Sequence, residues 1–225
     1  KTPLPLLLVL GAGIVLIIHE HRRINWTVLA IYLIPPAIIL LNFSLIAFRQ
    51  LGLRYILPMW PFLFMIPGAL LYRYRDLWKN RRALAIAAVA GAWYAVANLC
   101  IFPHYLSYFN IVAGGPNSGW CYLAASNIDW GQDLPALRRW QQAHDNPPMY
   151  VLYYGTSPLS AYGVDHVPWG QRPLPRYIAV SVTNYYLYQD VPMIQFLRKE
   201  RDPVAYAGKA MHIYRIPEKF RKLTQ

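Results

Sequence analysis

Acidic side chains are scarce in this 225-residue chain: 10 Asp and Glu stand against 22 Lys and Arg, for a net charge of +12. Up to Phe102 the only acids are Glu20 and Asp76. No carboxylate therefore lies near enough in sequence to pair with Arg49 or Arg54. Cysteine is equally rare. Cys100 and Cys121 are the only two, so no disulfide framework is written into the chain, and a bond between them has no pattern behind it. No CxxC, HExxH or Ser-His-Asp order occurs, which leaves hydrolase and metal-site readings without a basis in sequence. The six histidines are scattered and suit surface or interfacial positions better than ligation. Glycine is sparse where a phosphate loop would need it. "YYGTSPLS" (153–160) holds a single Gly, which excludes a dinucleotide fingerprint after the first expected strand.

The positive charge does not point to nucleic acid. Its densest cluster, "RYRDLWKNRR" (73–82), lies between two apolar runs, where basic residues mark the cytoplasmic side of a membrane. The opening "KTPLPLLLVLGAGIVLII" has no initiator Met, no basic flank ahead of the apolar run and no small-residue cleavage site after it. It does not read as a signal peptide, and the expectation is a chain that begins inside a larger membrane protein.

What is abundant is apolar: 56% of residues are hydrophobic. Four stretches approach the length of a bilayer span, at 3–18, 26–48, 55–72 and 83–102, none with an acid or a Lys or Arg inside it. Pro35, Pro36, Pro58, Pro61 and Pro67 would kink soluble helices but are tolerated in a membrane bundle. The basic connections 19–23 and 73–82 are expected on the cytoplasmic side, so the turn with Arg49, Gln50 and Arg54 falls on the other face, as does everything after Phe102. Trp26, Trp60, Tyr72 and Trp78 sit near span ends, as interfacial aromatics do. The expected architecture is an α-helical polytopic bundle (1–102) followed by a small extracytoplasmic α/β domain (103–225).

Within 103–225 the order reads β-α-β-α-β-β after a first helix at 133–144, capped by Asp133 with Pro135 in its first turn. Strands are expected at 149–155 and 176–186, a short helix at 157–163 capped by Ser157, an amphipathic helix at 191–200 capped by Asp190, and a closing hairpin around Gly208-Lys209. This predicts a small sheet with helices packed on it.

Two clusters carry candidate chemistry. "SNIDWGQDL" (126–134) is the densest polar run of the second half. It reads either as a turn whose Asn127 and Asp129 bond their own backbone, or as a sugar site in which Asn127, Asp129, Gln132 and Asp133 meet hydroxyls and Trp130 offers an indole face. Arg54 and Arg49 read either as cations snorkelling to the interface, or as a clamp matching the oxygens of a lipid-linked phosphate.

"KTPLPLLL", "LRYILPMWPFLF" and "FPHYLSYFNIVAGGPNSGWCYLAASNIDWGQDL" resemble the C-terminal half of bacterial polyprenyl-phosphate-dependent membrane glycosyltransferases. These belong to the GT-C superfamily, with protein O-mannosyltransferases and aminoarabinose transferases. The resemblance implies a multi-pass protein of the bacterial inner membrane, with a polyprenyl-phosphate-linked sugar and membrane lipid as partners and no nucleic acid. It implies sugar transfer to an acceptor at the extracytoplasmic face, with Arg54 first, Arg49 second and the Tyr55 hydroxyl beside them on the donor phosphate. The acid that assists the acceptor belongs to the other half of such enzymes, so this chain alone is expected to be inactive. Cations or a divalent metal would steady the leaving phosphate, and no ligand set for a metal is visible in the sequence. Two readings from other classes stand beside it: an envelope protein whose aqueous domain binds a glycan or a protein, and a transporter module, which the lack of charge within the spans and of an inverted repeat disfavours.

Overall fold

The computed structural model describes residues 1–19, 22, 25–46, 52–123, 125–199 and 202–218. The chain is mostly helical with one small four-stranded sheet, and it divides into two compact units, each described by itself below. The helical unit comprises Lys1–Tyr105 and Phe109–Val112; the α/β unit comprises Leu106–Tyr108 and Ala113–Gln225.

The helical unit holds α1 (Leu4–His19), α2 (Trp26–Leu41), α3 (Trp60–Arg73) and α4 (Arg81–Ile101). Among the described residues one helix, α4 with its 21 residues, is long and apolar enough to cross a membrane by length and composition. The expectation of four full spans is corrected here. α1, α2 and α3 have 16, 16 and 14 residues, short of the roughly 20 that a hydrocarbon layer requires.

The reasons are local. The stretch expected at 55–72 starts as 3-10 turns, Gly52–Tyr55 and Leu57–Met59, and becomes α-helical only at Trp60. Pro58 and Pro61 have no N–H to donate back one turn, so they open a helix rather than continue one. The stretch expected at 26–48 passes Pro35 and Pro36 inside α2, then loosens into a π turn at Asn42–Ile46. Its last two residues, 47 and 48, lie outside the described residues, as do Glu20 and Arg49.

α4 starts on a side-chain cap, with Asn80 Oδ1 accepting from the Arg82 N–H at 2.9 Å. Gly13 of α1 faces α3 so closely that a Cβ there would sit 2.2 Å from Ile66 Cγ2. An apolar groove of about 770 Å³ runs between α1, α2 and α3, lined by Leu16, Leu29, Tyr32, Phe62 and Ile66 and reaching Arg73.

In the α/β unit the sheet order is β1-β2-β4-β3, with β1 (Met149–Leu152) parallel to β2 (Tyr177–Ser181). β4 (Met211–Arg215) runs antiparallel to both β2 and β3 (Ala205–Ala207). Period-two alternation sends the strand residues to two faces. Met149, Ala179, Met211 and Ile213 pack with Leu134 and Leu137 of α5 (Leu134–Gln142). Tyr150, Ile178, Val180 and Tyr214 pack with Ile194 and Leu197 of α7 (Pro192–Lys199).

The expected helix–sheet arrangement is present, with four local corrections, the first being that the strand expected at 149–155 stops at Leu152. The strand expected to run to 186 stops at Ser181, whose Oγ accepts from the Asn184 N–H at 3.4 Å and caps a short helix α6 (Val182–Leu187). The helix expected at 157–163 is a 3-10 turn, Leu159–Tyr162, that starts after Pro158 and has no cap from Ser157. Asp133 precedes α5 but makes no side-chain cap; its carboxylate is used elsewhere.

Candidate functional site

Three segments of the α/β unit meet where the parallel strands β1 and β2 end: the turn 125–133, the loop after β1 and the step from β2 into α6. In sheets with parallel strands, the crevice beyond the carboxyl ends is where ligands bind.

The turn is built from its own backbone. Ala125 adopts a left-handed φ of 52°, and its carbonyl accepts from the N–H groups of Ile128 and Asp129, both at 3.0 Å. Gln132 closes the turn from inside: Oε1 accepts from the Trp130 N–H at 2.7 Å and Nε2 donates to the Ile128 carbonyl at 2.6 Å. Asp133 is buried, and its Oδ2 accepts from the N–H groups of Lys209 and Ala210 at 2.8 and 2.6 Å, pinning the β3–β4 hairpin. Gly208 at the hairpin tip has a φ of 70°, and a Cβ there would come within 2.2 Å of Asp133 Cγ, so both conformation and space require glycine. Gln132 and Asp133, expected as sugar contacts, are thus occupied in holding the fold. Asn127 is buried.

Asp129 and Trp130 differ from these. Asp129 is 1% exposed; Oδ1 accepts from the Gly131 N–H at 3.1 Å, while Oδ2 is buried and, among the described residues, meets no hydrogen bond of normal geometry. Thr183 Oγ1, at the start of α6, is buried and, among the described residues, likewise meets no hydrogen bond of normal geometry. Burial pushes the Asp129 carboxyl above the ordinary Asp value. The Ser181 hydroxyl and the Gly131 N–H oppose that shift, the Asp133 charge adds to it, and Thr183 opposes it weakly. The two hydroxyls therefore lie close enough to ease the charge without either closing a bond of normal geometry to Oδ2. Ser181 Oγ accepts from the Tyr154 and Asn184 N–H groups, which ties the loop after β1 to this cluster.

Trp130 is 52% exposed, and its ring lies 5.3 Å from that of Tyr154 at an angle of 51°. The loops beneath are tightly fitted: a Cβ on Gly155 would meet Tyr153 Cε2 at 2.6 Å and the Trp130 carbonyl at 3.2 Å. The Tyr153 hydroxyl donates to the Ser157 carbonyl.

Sequence reading missed Tyr154, Ser181 and Thr183. The signal for two of them was present, because Ser181 and Thr183 put hydroxyls at alternate positions of an otherwise apolar, β-branched run. Nothing in sequence tells that they face a carboxylate fifty residues earlier.

In the helical unit, Arg54 and Tyr55 do come together. The Arg54 guanidinium is exposed, with Nη2 3.4 Å from the Tyr55 hydroxyl and Cζ 5.1 Å from the Tyr55 ring centre. Tyr55 in turn stacks on Phe43 at 4.9 Å. Among the described residues no carboxylate pairs with Arg54; Arg49 lies outside them. A cavity of about 420 Å³, lined in part by Leu53, Leu57, Trp60, Phe64 and Tyr94, starts on the same 3-10 turn as Arg54.

Among the described residues no group of three or more His, Cys, Asp or Glu converges as a metal-ligand set. Cys100 and Cys121 are both free, exposed thiols. No family model, curated protein or solved structure matches the chain.

Proposed function

We propose that the chain is part of an integral-membrane glycosyltransferase that moves a sugar from a polyprenyl-phosphate donor to an acceptor at the extracytoplasmic face of a bacterial inner membrane. The observation that carries this reading is Arg54: an exposed guanidinium, braced on the ring and hydroxyl of Tyr55, with no carboxylate on it among the described residues and an apolar cavity beginning at its own turn. A guanidinium fork suits phosphate oxygens, and an apolar cavity beside it suits an isoprenoid chain. The reading is supported further by large apolar side chains left exposed on all four helices, such as Leu8, Ile31, Phe64 and Ile86, which call for a hydrocarbon surrounding. In this reading the first three helices join α4 as membrane segments, and the α/β unit is extracytoplasmic. The acceptor-activating acid is not assigned to any residue of this chain.

The test is transfer by the full-length protein in membranes, supplied with a polyprenyl-phosphate sugar. Arg54→Ala should lower the rate by about a hundredfold or more, the scale of losing one charge-stabilising donor, and Arg54→Lys should recover little. Wild-type transfer by Arg54→Ala would refute the clamp. A second reading, a membrane-anchored envelope protein without transfer chemistry, is favoured by the half-exposed Trp130 beside Tyr154, a pair suited to binding rather than to bond breaking.

A further inference from the structure

We propose that the groove between α1, α2 and α3 holds the acyl chain of an anionic phospholipid of the cytoplasmic leaflet, whose phosphate is met by Arg73 and Arg75 at the end of α3. The proposal rests on the membrane placement argued above and not on sugar transfer. Its charged mouth lies at the opposite end of α3 from Arg54.

The polar and apolar parts of the groove are separated along its length. Its walls are apolar side chains such as Leu16, Leu29, Phe62 and Ile66, and its charged residue, Arg73, stands on the last turn of α3. Asn25, just ahead of α2, lines that same end, because α2 and α3 run in opposite directions: Phe43, past the end of α2, stacks on Tyr55, ahead of α3, at 4.9 Å. The groove follows α3 from Phe62 to Arg73, roughly 16 Å at the rise of an α-helix. That is about one leaflet, half of a hydrocarbon core ~30 Å thick. An acyl chain of one leaflet fits this length, with its headgroup at the Arg73 end. The carrier lipid proposed for Arg54 has its phosphate at the other face.

The choice of an anionic headgroup comes from charge. The segment 73–82 carries Arg73, Arg75, Lys79, Arg81 and Arg82 against one acid, Asp76, and Lys79 Nζ already holds the Asp76 carboxylate at 2.9 Å. Arg73 and Arg75 are exposed, with their guanidinium carbons 5.6 Å from the ring centres of Tyr74 and Tyr72 respectively. Among the described residues no carboxylate pairs with Arg75. Basic pockets between membrane helices on the cytoplasmic side take phospholipid phosphates, and a guanidinium offers paired N–H donors to phosphate oxygens. A zwitterionic headgroup brings an ammonium into the same cluster and gains less.

In the experiment the full-length protein is purified in detergent and freed of lipid. It is then given dioleoyl phosphatidylglycerol or dioleoyl phosphatidylcholine, with no polyprenyl phosphate present. Native mass spectrometry counts the retained lipid, and thermal melting reads the stabilisation that a bound ligand brings. Phosphatidylglycerol should be retained at lipid concentrations at which phosphatidylcholine is not. Arg73→Gln and Arg75→Gln should each weaken retention about fivefold, and together about twenty-five-fold, the scale of one basic residue each at a membrane surface. Gly68 lines the groove, and a Cβ there meets nothing within 4 Å. Gly68→Leu therefore fills the groove without a clash at its own helix. It should abolish the specific retention while melting no lower than wild type in lipid-free detergent, since leucine favours a helix over glycine. Arg54→Ala should retain phosphatidylglycerol as wild type does, so failure of the phosphate clamp and failure of this site are separate results. No retained phosphatidylglycerol, equal retention of phosphatidylcholine, or retention that survives Gly68→Leu would overturn the proposal. The first of these would leave the groove to a helix from elsewhere in the full-length protein.

Discussion

The two units use hydrophobic residues in opposite ways. In the α/β unit the apolar residues alternate along strands and vanish inward: Ile178, Val180, Met211 and Ile213 are at most 1% exposed. In the helical unit the apolar residues surround each helix, and among the described residues only Leu10, Ile101 and Phe109 of that unit join the buried hydrophobic set, while Leu8, Val15, Ile86 and Leu99 are each more than 60% exposed. An apolar residue is therefore not by itself a core residue. In one unit its burial comes from the sheet and the helices on it; in the other, large apolar side chains stay exposed on every helix.

The largest effect that separates the units should come from truncating matched isoleucines. Ile178→Ala in the sheet removes a fully buried side chain and should cost about 2–5 kcal/mol, whereas Ile86→Ala on α4 should stay within about 0.5 kcal/mol. Denaturant unfolding, followed by near-UV circular dichroism for the α/β unit and by helix signal for the helical unit, checks both. Equal costs at the two sites would break the contrast.

Acid should also divide the units. His212 of β4 is 4% exposed and ringed by Tyr206, Trp120, Tyr185 and Tyr214 at 5.0 to 6.4 Å; burial lowers its pKa to about 4 from 6.5. Between those two values the unfolded chain binds a proton that the folded unit excludes, so folding becomes less favourable as pH falls from 6.5 toward 4, by about 3 kcal/mol at most. Above pH 6.5 the histidine contributes no slope. Thermal melting of the α/β unit at pH 7.5, 6 and 4.5 should show this fall, and His212→Gln should flatten it. An unchanged slope in that variant would move the effect to another group.

Much of the α/β unit was legible because its signals are local. The hairpin around Gly208-Lys209 follows from a turn residue between alternating runs, and α5 follows from Pro135 in its first turn. Asp133 was misread as a helix cap because its partners, the N–H groups of Lys209 and Ala210, lie 76 and 77 residues away. The strand toward Tyr186 was read too long because β-branched residues hid the cap that Ser181 forms with Asn184. The candidate site was half legible for the same reason. "SNIDWGQDL" announced Asp129 and Trp130, but Tyr154, Ser181 and Thr183 reach them only through the parallel pairing of β1 and β2. In the helical unit hydropathy was plain, while Pro58 and Pro61 delayed the helix to Trp60 and shortened what had looked like a span.

The contrast is tested most directly by thiol labelling, since each unit carries one exposed, free cysteine. Intact spheroplasts expressing the full-length protein are treated with a membrane-impermeant maleimide, in single-cysteine versions. The account predicts that Cys121, in the α/β unit, is labelled from outside, and that a cysteine placed midway along α4 by Val89→Cys, with Cys100 and Cys121 replaced, is protected until detergent is added. Equal labelling of both thiols in intact spheroplasts, or protection of Cys121, would contradict a helical unit in lipid joined to an extracytoplasmic α/β unit.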